Sequence, residues 1–241
     1  MTTEETEKTV EPIPEAELRS LVAASGKILF HQGLVDYLGH CSARVPGTDR
    51  VIIKPKHSPT IRGLGSVGPE DMLVIDLDGR VLEGDANPPA EACIHTEIYR
   101  ARPDVAAVVH THQPASTLLG VIGAELMPVL HVQSVLTNGG RIANWPCPLL
   151  VTTPELGQDL AKALGGESLC HLQGHGIVSV AADIRLATVA AIALEQLAQA
   201  NLQILQTGRS PRLITSEELD ELTTAIASIE GRWAYYLEQL S

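Results

Sequence analysis

Ala90-Glu-Ala-Cys-Ile-His-Thr-Glu-Ile-Tyr-Arg-Ala-Arg-Pro-Asp-Val-Ala-Ala-Val-Val-His-Thr-His112 contains both kinds of element from which the fold is built, and the step between them. Its first half reads as a helix from Ala90 to Arg102, stopped by Pro103, because proline disfavours helical backbone in the residue before it. Its second half, from Asp104 to His112, is a short apolar run rich in branched residues, which suits a strand. Side chains alternate across a strand, so His110 and His112 leave the same face where the strand stops before Pro114. Glu91 and His95 are four residues apart and share one face of the helix. The link through Pro103 is short, which sets the helix beside the strand it feeds.

Upstream, Leu18, Leu21, Val22, Ser25, Ile28 and Leu29 recur at helical spacing between Glu15 and a stop at Gly33. Leu38 to Val45, Arg50 to Lys54 and Met72 to Leu77 read as strands, with Asp76-Leu-Asp-Gly79 as a turn into Val81-Leu82. Downstream the pattern predicts a helix over Pro114 to Gly120, then a short strand ending near His131. A helix over Pro154 to Leu164 follows, with Thr153 as its N-cap. Ser168 to Leu172 and Gly176 to Val180 read as strands around a Gly-His-Gly turn, and two long helices, Asp183 to Gly208 and Ser216 to Leu240, close the chain. This order predicts an α/β fold with a central sheet covered on both faces. Residues 1–14, polar and carrying Pro12 and Pro14, read as a flexible tail. No composition shift divides the rest, so 15–241 reads as a single domain.

The chain has 241 residues, enough for a full core, and 44% are hydrophobic but only 3% aromatic, so that core must be built from Ala, Val, Leu and Ile. A net charge of -12 argues against nucleic acid as a partner, because phosphate backbones need clustered Lys and Arg. Lys54-Pro-Lys-His57 through Arg62 is a local basic island, suited either to an anionic ligand or to a solvated loop. An acidic N-terminus without an apolar segment and the lack of any membrane-length apolar stretch lead to the expectation of a cytoplasmic protein with no membrane partner. Cys41, Cys93, Cys147 and Cys170 are scattered without a CxxC pair, which fits free thiols in a reducing compartment.

A lone His-x-His also suits two half-exposed histidines at a strand end. Here Glu91 opens the helix before it, and a third histidine, His175, stands between two glycines that permit a sharp turn and close backbone approach. Neutral imidazoles and a carboxylate are the ligands of a divalent ion such as Zn, Mn, Fe or Co, with a position left open in a catalytic site.

Glu91-x-x-x-His95, Tyr99-Arg-Ala-Arg-Pro-Asp104, Val109-His-Thr-His112 and Gly174-His-Gly176, in that order, resemble the class II aldolase/adducin family. The resemblance runs from about Leu18 into the last helices. It implies a three-layer α/β/α sandwich with a mixed, largely antiparallel sheet. It also implies one divalent metal per subunit held by His110, His112 and His175, with Glu91 as ligand or acid/base. The implied assembly is a homotetramer with active sites near subunit interfaces.

The phosphate-binding segments of the family's sugar-phosphate aldolases, Gly-Asn-x-Ser, Thr-Pro-Ser-Gly and Ser-Ser-Glu, are replaced by Gly39-His-Cys-Ser42, Lys54-Pro-Lys-His-Ser58 and Pro88-Pro-Ala-Glu91. His40, Ser42, Lys54, His57 and Arg62 are therefore expected to bind substrate, as groups suited to carboxylates rather than to phosphate. With Gly39-His-Cys-Ser-Ala-Arg44 and Pro128-Val-Leu-His131, this resembles the decarboxylase branch of the family. That implies a small anionic substrate, a hydroxylated aromatic dicarboxylate of the 3,4-dihydroxyphthalate kind, losing carbon dioxide through an enolate or phenolate stabilised by the metal. Glu91 or His131 would supply the proton, although His131 equally suits a hydrogen-bonded core histidine. His95 is expected to orient Glu91 or a ligand, and Tyr235 and Tyr236 either to pack the last helix or, if that helix reaches a neighbouring subunit's pocket, to supply one substrate contact there, Tyr236. An aldolase acting on a small hydroxy-aldehyde is the alternative, and a non-catalytic adducin-like module is disfavoured by the intact histidines.

Overall fold

The computed structural model describes residues 13–59, 63–225 and 228–240. In chain order the elements are α1 (Glu15–His31), β1 (His40–Arg44), β2 (Val51–Ile53), β3 (Leu73–Ile75), β4 (Val81–Glu83), α2 (Ala92–Ala101), β5 (Ala107–Thr111), α3 (Pro114–Ile122), α4 (His131–Leu136), β6 (Ala143–Trp145), α5 (Pro154–Leu164), β7 (Leu169–Leu172), β8 (Gly176–Ala181), α6 (Ile184–Thr207), α7 (Ser216–Ala225) and α8 (Ile229–Glu238). Helix and strand of the central stretch fall where Pro103 divides them. The side chain of Thr153 accepts the Leu156 amide at the start of α5, as its place before Pro154 foretells.

The eight strands form one sheet in the order β4-β3-β2-β1-β5-β8-β7-β6, antiparallel throughout except for the β6–β7 pair. β5 lies between β1 and β8, so His110 pairs directly with His40 on one side and with Val178 on the other. Every residue of β5 is buried, and alternation sends Ala107 and Val109 to one core and Val108 to the other. α1, α3 and α6 cover the first face, while α2 and α5 cover the second. A strand buried on both faces must be apolar throughout, and each such valine contributes about 1.5–3 kcal/mol. The outcome is the three-layer α/β/α sandwich with a mixed, largely antiparallel sheet. None of the described helices is long and apolar enough to cross a membrane.

The expected strand ending near His131 does not form. Residues 124–130 run as loop, and His131 begins α4. The amide and carbonyl of Met127, which a strand would pair in a ladder, are instead taken by the buried amide side chain of Asn201 on α6, at 2.7 and 3.0 Å. The long terminal helix is also two, because α7 packs on α4 whereas α8 packs on α1 and α6, and one straight rod cannot reach both. Ser228, in extended conformation, starts α8 afresh. The edge strand β6 spans three residues, too few to display an alternation in sequence. The expected tail falls largely on residues 1–12, outside the described residues.

Candidate metal centre

Glu91, His110, His112 and His175 each offer one ligand atom, and these atoms lie within 4.8 Å of one another. β5 carries His110 on the α2 side of the sheet, and His112 follows one residue past the strand's end. The β7–β8 turn delivers His175. A Cβ on Gly176 would lie 2.2 Å from the Thr111 carbonyl oxygen, so only glycine lets that turn press against β5. Glu91 stands at the N-cap of α2, and its Oε1 accepts the Val151 amide at 2.8 Å. Its Oε2 is left facing Nε2 of His175 at 3.6 Å, of His40 at 3.8 Å and of His110 at 3.9 Å, ion-pair range but beyond hydrogen-bond reach.

This donor set fits a divalent cation. Nδ1 of His110 donates to the Ile177 carbonyl at 2.9 Å, the support a ligating imidazole usually has, and this leaves Nε2 as a lone pair. That nitrogen lies 3.0 Å from Nε2 of His112. Both ring nitrogens of His175 are buried without a hydrogen-bond partner among the described residues, a costly state that a cation would relieve. Three imidazoles and a carboxylate are what zinc and its divalent relatives bind.

Electrostatics prepare the donors. Burial holds His110 well below the ordinary histidine range and pushes His112 down to about 4, so both rings are neutral near pH 7. Burial opposes ionisation of Glu91, yet His175, His40 and the Val151 amide outweigh it and hold the carboxyl below its usual range. Beyond His112, the buried Glu195 of α6 accepts the amides of Ala115 and Ser116 at 2.9 and 3.0 Å, which fixes the start of α3 and the exit from the histidine strand.

Next to the cluster a cavity of about 200 Å³ is lined by Gly39, His40, Lys54, Lys56, His57 and Glu91, among others. Lys54 is only 3% exposed, burial lowers its pKa, and no carboxylate pairs with it among the described residues. The His57 and Tyr37 rings pack with centroids 4.2 Å apart, tilted at 46°. A side chain at Gly39, whose φ is +100°, would strike Val35 and crowd the His110 carbonyl, so glycine lets β1 start against β5.

The structure therefore brings His40, Lys54 and His57 to one cavity beside the four ligand candidates. Ser42 is fully buried behind that cavity and bonds His95 and Tyr99. His95 bonds His40 and Ser42, so the residue it orients is His40 rather than Glu91. His131 is exposed at the start of α4, in a separate groove with Arg212 and Glu218. Tyr236 packs on the core under α1 and α6, on the other side of the sheet from Glu91. Arg62 lies outside the described residues. Sequence reasoning missed Tyr99 and Glu195. Tyr99 is signalled by its spacing, four residues beyond His95 and eight beyond Glu91, and Glu195 by being one acid in the apolar run Ala190-Ala-Ile-Ala-Leu-Glu195.

A three-layer sandwich with this His and Glu cluster at its sheet end defines a class, and residues 20–202 match the family described as Class II Aldolase and Adducin N-terminal domain. The chain belongs to that family, whose aldolases use a divalent metal. Among individual relatives, it is 29% identical to a 3,4-dihydroxyphthalate decarboxylase of Arthrobacter keyseri, over 97% of this chain and 98% of that one. It is 30% identical to a 5-deoxy-D-ribulose 1-phosphate aldolase of Bacillus thuringiensis, over 64% of this chain and 70% of that one. Among solved structures, an aldolase II superfamily protein from Pseudomonas syringae superposes with a TM-score of 0.79 at 21% identity, covering 97% of this chain and 94% of that one.

Proposed function

We propose that the protein is a metal-dependent carboxy-lyase acting on a hydroxylated aromatic dicarboxylate such as 3,4-dihydroxyphthalate. The observation that carries this reading is Lys54, a buried lysine without a carboxylate partner among the described residues, in the same cavity as Glu91. Burying an unpaired ammonium is unfavourable, and an anionic guest removes that cost. Lys56 and His57 line the same space, whose volume is below the ~300–1,000 Å³ typical of drug-sized pockets and suits a single ring. The match to decarboxylases over nearly the full length of both chains supports the same reading.

A divalent ion held by His110, His112 and His175 would supply a Lewis acid for a substrate oxygen, with Glu91 beside it as the acid/base. Lys54 and its neighbours bind a carboxylate and orient the ring. Glu91, held ionised with Oε2 free of hydrogen bonds, takes the proton of a ring hydroxyl and passes it to the carbon bearing the departing carboxylate. Cleavage of that C–C bond returns its electron pair to the ring system and frees carbon dioxide, and the phenolate takes a proton from water.

The assembly proposed is a homotetramer. Leu118, Val121 and Ile122 on α3 and Leu149 and Leu150 are exposed, and a copy covering them would lie beside the site, since Leu150 also lines the cavity. A cytoplasmic location fits the four free cysteines. The test is protein loaded with Mn, Co or Zn and given 3,4-dihydroxyphthalate, which should release carbon dioxide. Absence of release, with aldehyde formed from a sugar-derived substrate, would establish the aldolase instead, and failure to bind any divalent ion would overturn both.

A further inference from the structure

Behind His40, away from the cavity, three buried polar side chains stand in series with it. The Tyr99 hydroxyl is 2.7 Å from Ser42 Oγ, Ser42 Oγ is 2.6 Å from His95 Nδ1, and His95 Nε2 is 2.6 Å from His40 Nδ1. The series bridges two elements: His95 and Tyr99 lie one turn apart on α2, and His40 and Ser42 lie two apart on the facing side of β1. All four are at most 5% exposed.

Proton counting gives the series a direction. The Val108 amide can only donate to the Tyr99 oxygen, and Ser42 Oγ is the one side-chain acceptor within reach among the described residues, so that hydroxyl donates there. Ser42 spends its own proton on His95 Nδ1. Both rings are buried with no carboxylate within hydrogen-bond distance among the described residues, Glu91 Oε2 standing 3.8 Å from His40 Nε2, so each is counted as an imidazole with one ring proton. His95 must then carry its proton on Nε2 and donate to His40 Nδ1, which leaves the His40 proton on Nε2. Reversed, the series would strand the Tyr99 hydroxyl proton in the core with no acceptor.

We propose that Tyr99, Ser42 and His95 are positioning residues that lock His40 as an Nε2–H donor facing Glu91 and the cavity, where it binds a substrate carboxylate and cannot act as a fourth imidazole ligand. His110, its direct cross-strand partner with ring centroids 4.9 Å apart, receives the opposite assignment. The Ile177 carbonyl behind it takes the Nδ1 proton and turns the Nε2 lone pair outward. Neighbouring imidazoles thus become one donor and one ligand according to what stands behind each. That the guest is a carboxylate rests on the function proposed above, whereas the direction of the relay does not.

Solid-state 15N spectra of histidine-labelled, zinc-loaded protein test the tautomer without any substrate, the His40 signals being assigned by their loss in His40→Gln. The expected spectrum has a protonated Nε2 and an unprotonated Nδ1, and Ser42→Ala, which removes the proton source for His95, should give a mixture of His40 tautomers. A wild-type His40 protonated on Nδ1, or a Ser42→Ala protein with an unchanged tautomer, would overturn the relay, and the first needs no variant to fold. His40→Gln should retain stoichiometric zinc, and a loss as deep as that of His110→Gln would make His40 a ligand after all. Carbon dioxide release without the expected tautomer would sink the relay alone. The expected tautomer without carbon dioxide release would sink the decarboxylase reading alone.

Discussion

Glu91 hangs from the backbone amide of Val151 through Oε1, at 2.8 Å, so one carboxylate oxygen is spent on position and the other is free for chemistry. Gln at this position can keep the Val151 bond through its carbonyl oxygen, but it presents an NH2 where Oε2 faced His175, His40 and His110. Glu91→Gln is expected to fold, to bind metal more weakly and to lose about 10²–10⁴-fold in turnover at saturating metal. Steady-state kinetics alongside metal titration check this. Full turnover with metal bound would remove Glu91 from proton transfer.

His175 and His110 are expected to be required for metal, whereas His171 is not, since Ser116 Oγ already partners His171 at 2.9 Å. Replacing either His110 or His175 with alanine should weaken zinc binding by more than the ~10–100-fold typical of losing a supporting residue. His171→Gln should bind zinc as wild type. Metal content by mass spectrometry after dialysis separates the three, and retention of zinc by His175→Ala would place the ion elsewhere.

Much of this site is legible in the sequence because its logic is periodic. A spacing of two on a strand and of four on a helix puts His110, His112, Glu91 and His95 on facing surfaces, and Pro103 marks where one period gives way to the other. What sequence does not reveal is which neighbour takes each proton. Ser42, expected to touch substrate, is one residue layer too deep, because its strand partner Val108 faces the α2 core rather than the cavity. The loop before His131 has the composition of a strand, but the Asn201 amide from a distant helix satisfies its backbone, and no local pattern encodes that.

His171 gives the fold a pH dependence of its own. Burial pushes its pKa down to about 4 from 6.5, so the unfolded chain binds the proton more tightly than the folded one. The contribution is complete above pH 6.5 and is lost as pH falls towards 4, amounting to roughly 3 kcal/mol at about 1.36 kcal/mol per unit. Urea unfolding of metal-free protein between pH 7 and 4 should lose stability less steeply for His171→Gln than for wild type. Parallel curves would show that the ring is not held neutral by burial.

Lys54 sets function against stability. Its ammonium is buried beside the cavity, burial lowers its pKa, and no described carboxylate relieves it. Methionine keeps the length and apolar stem of the side chain while deleting the charge, so Lys54→Met should raise the melting temperature of substrate-free protein. It should also weaken binding of an aromatic dicarboxylate by about 10–100-fold, the equivalent of the ~1.5–3 kcal/mol of one charged hydrogen bond. Calorimetry of substrate binding and thermal unfolding of the same preparation give the two readouts together. A variant that is less stable and binds the dicarboxylate unchanged would make Lys54 a structural residue and leave the anion with no anchor in this cavity.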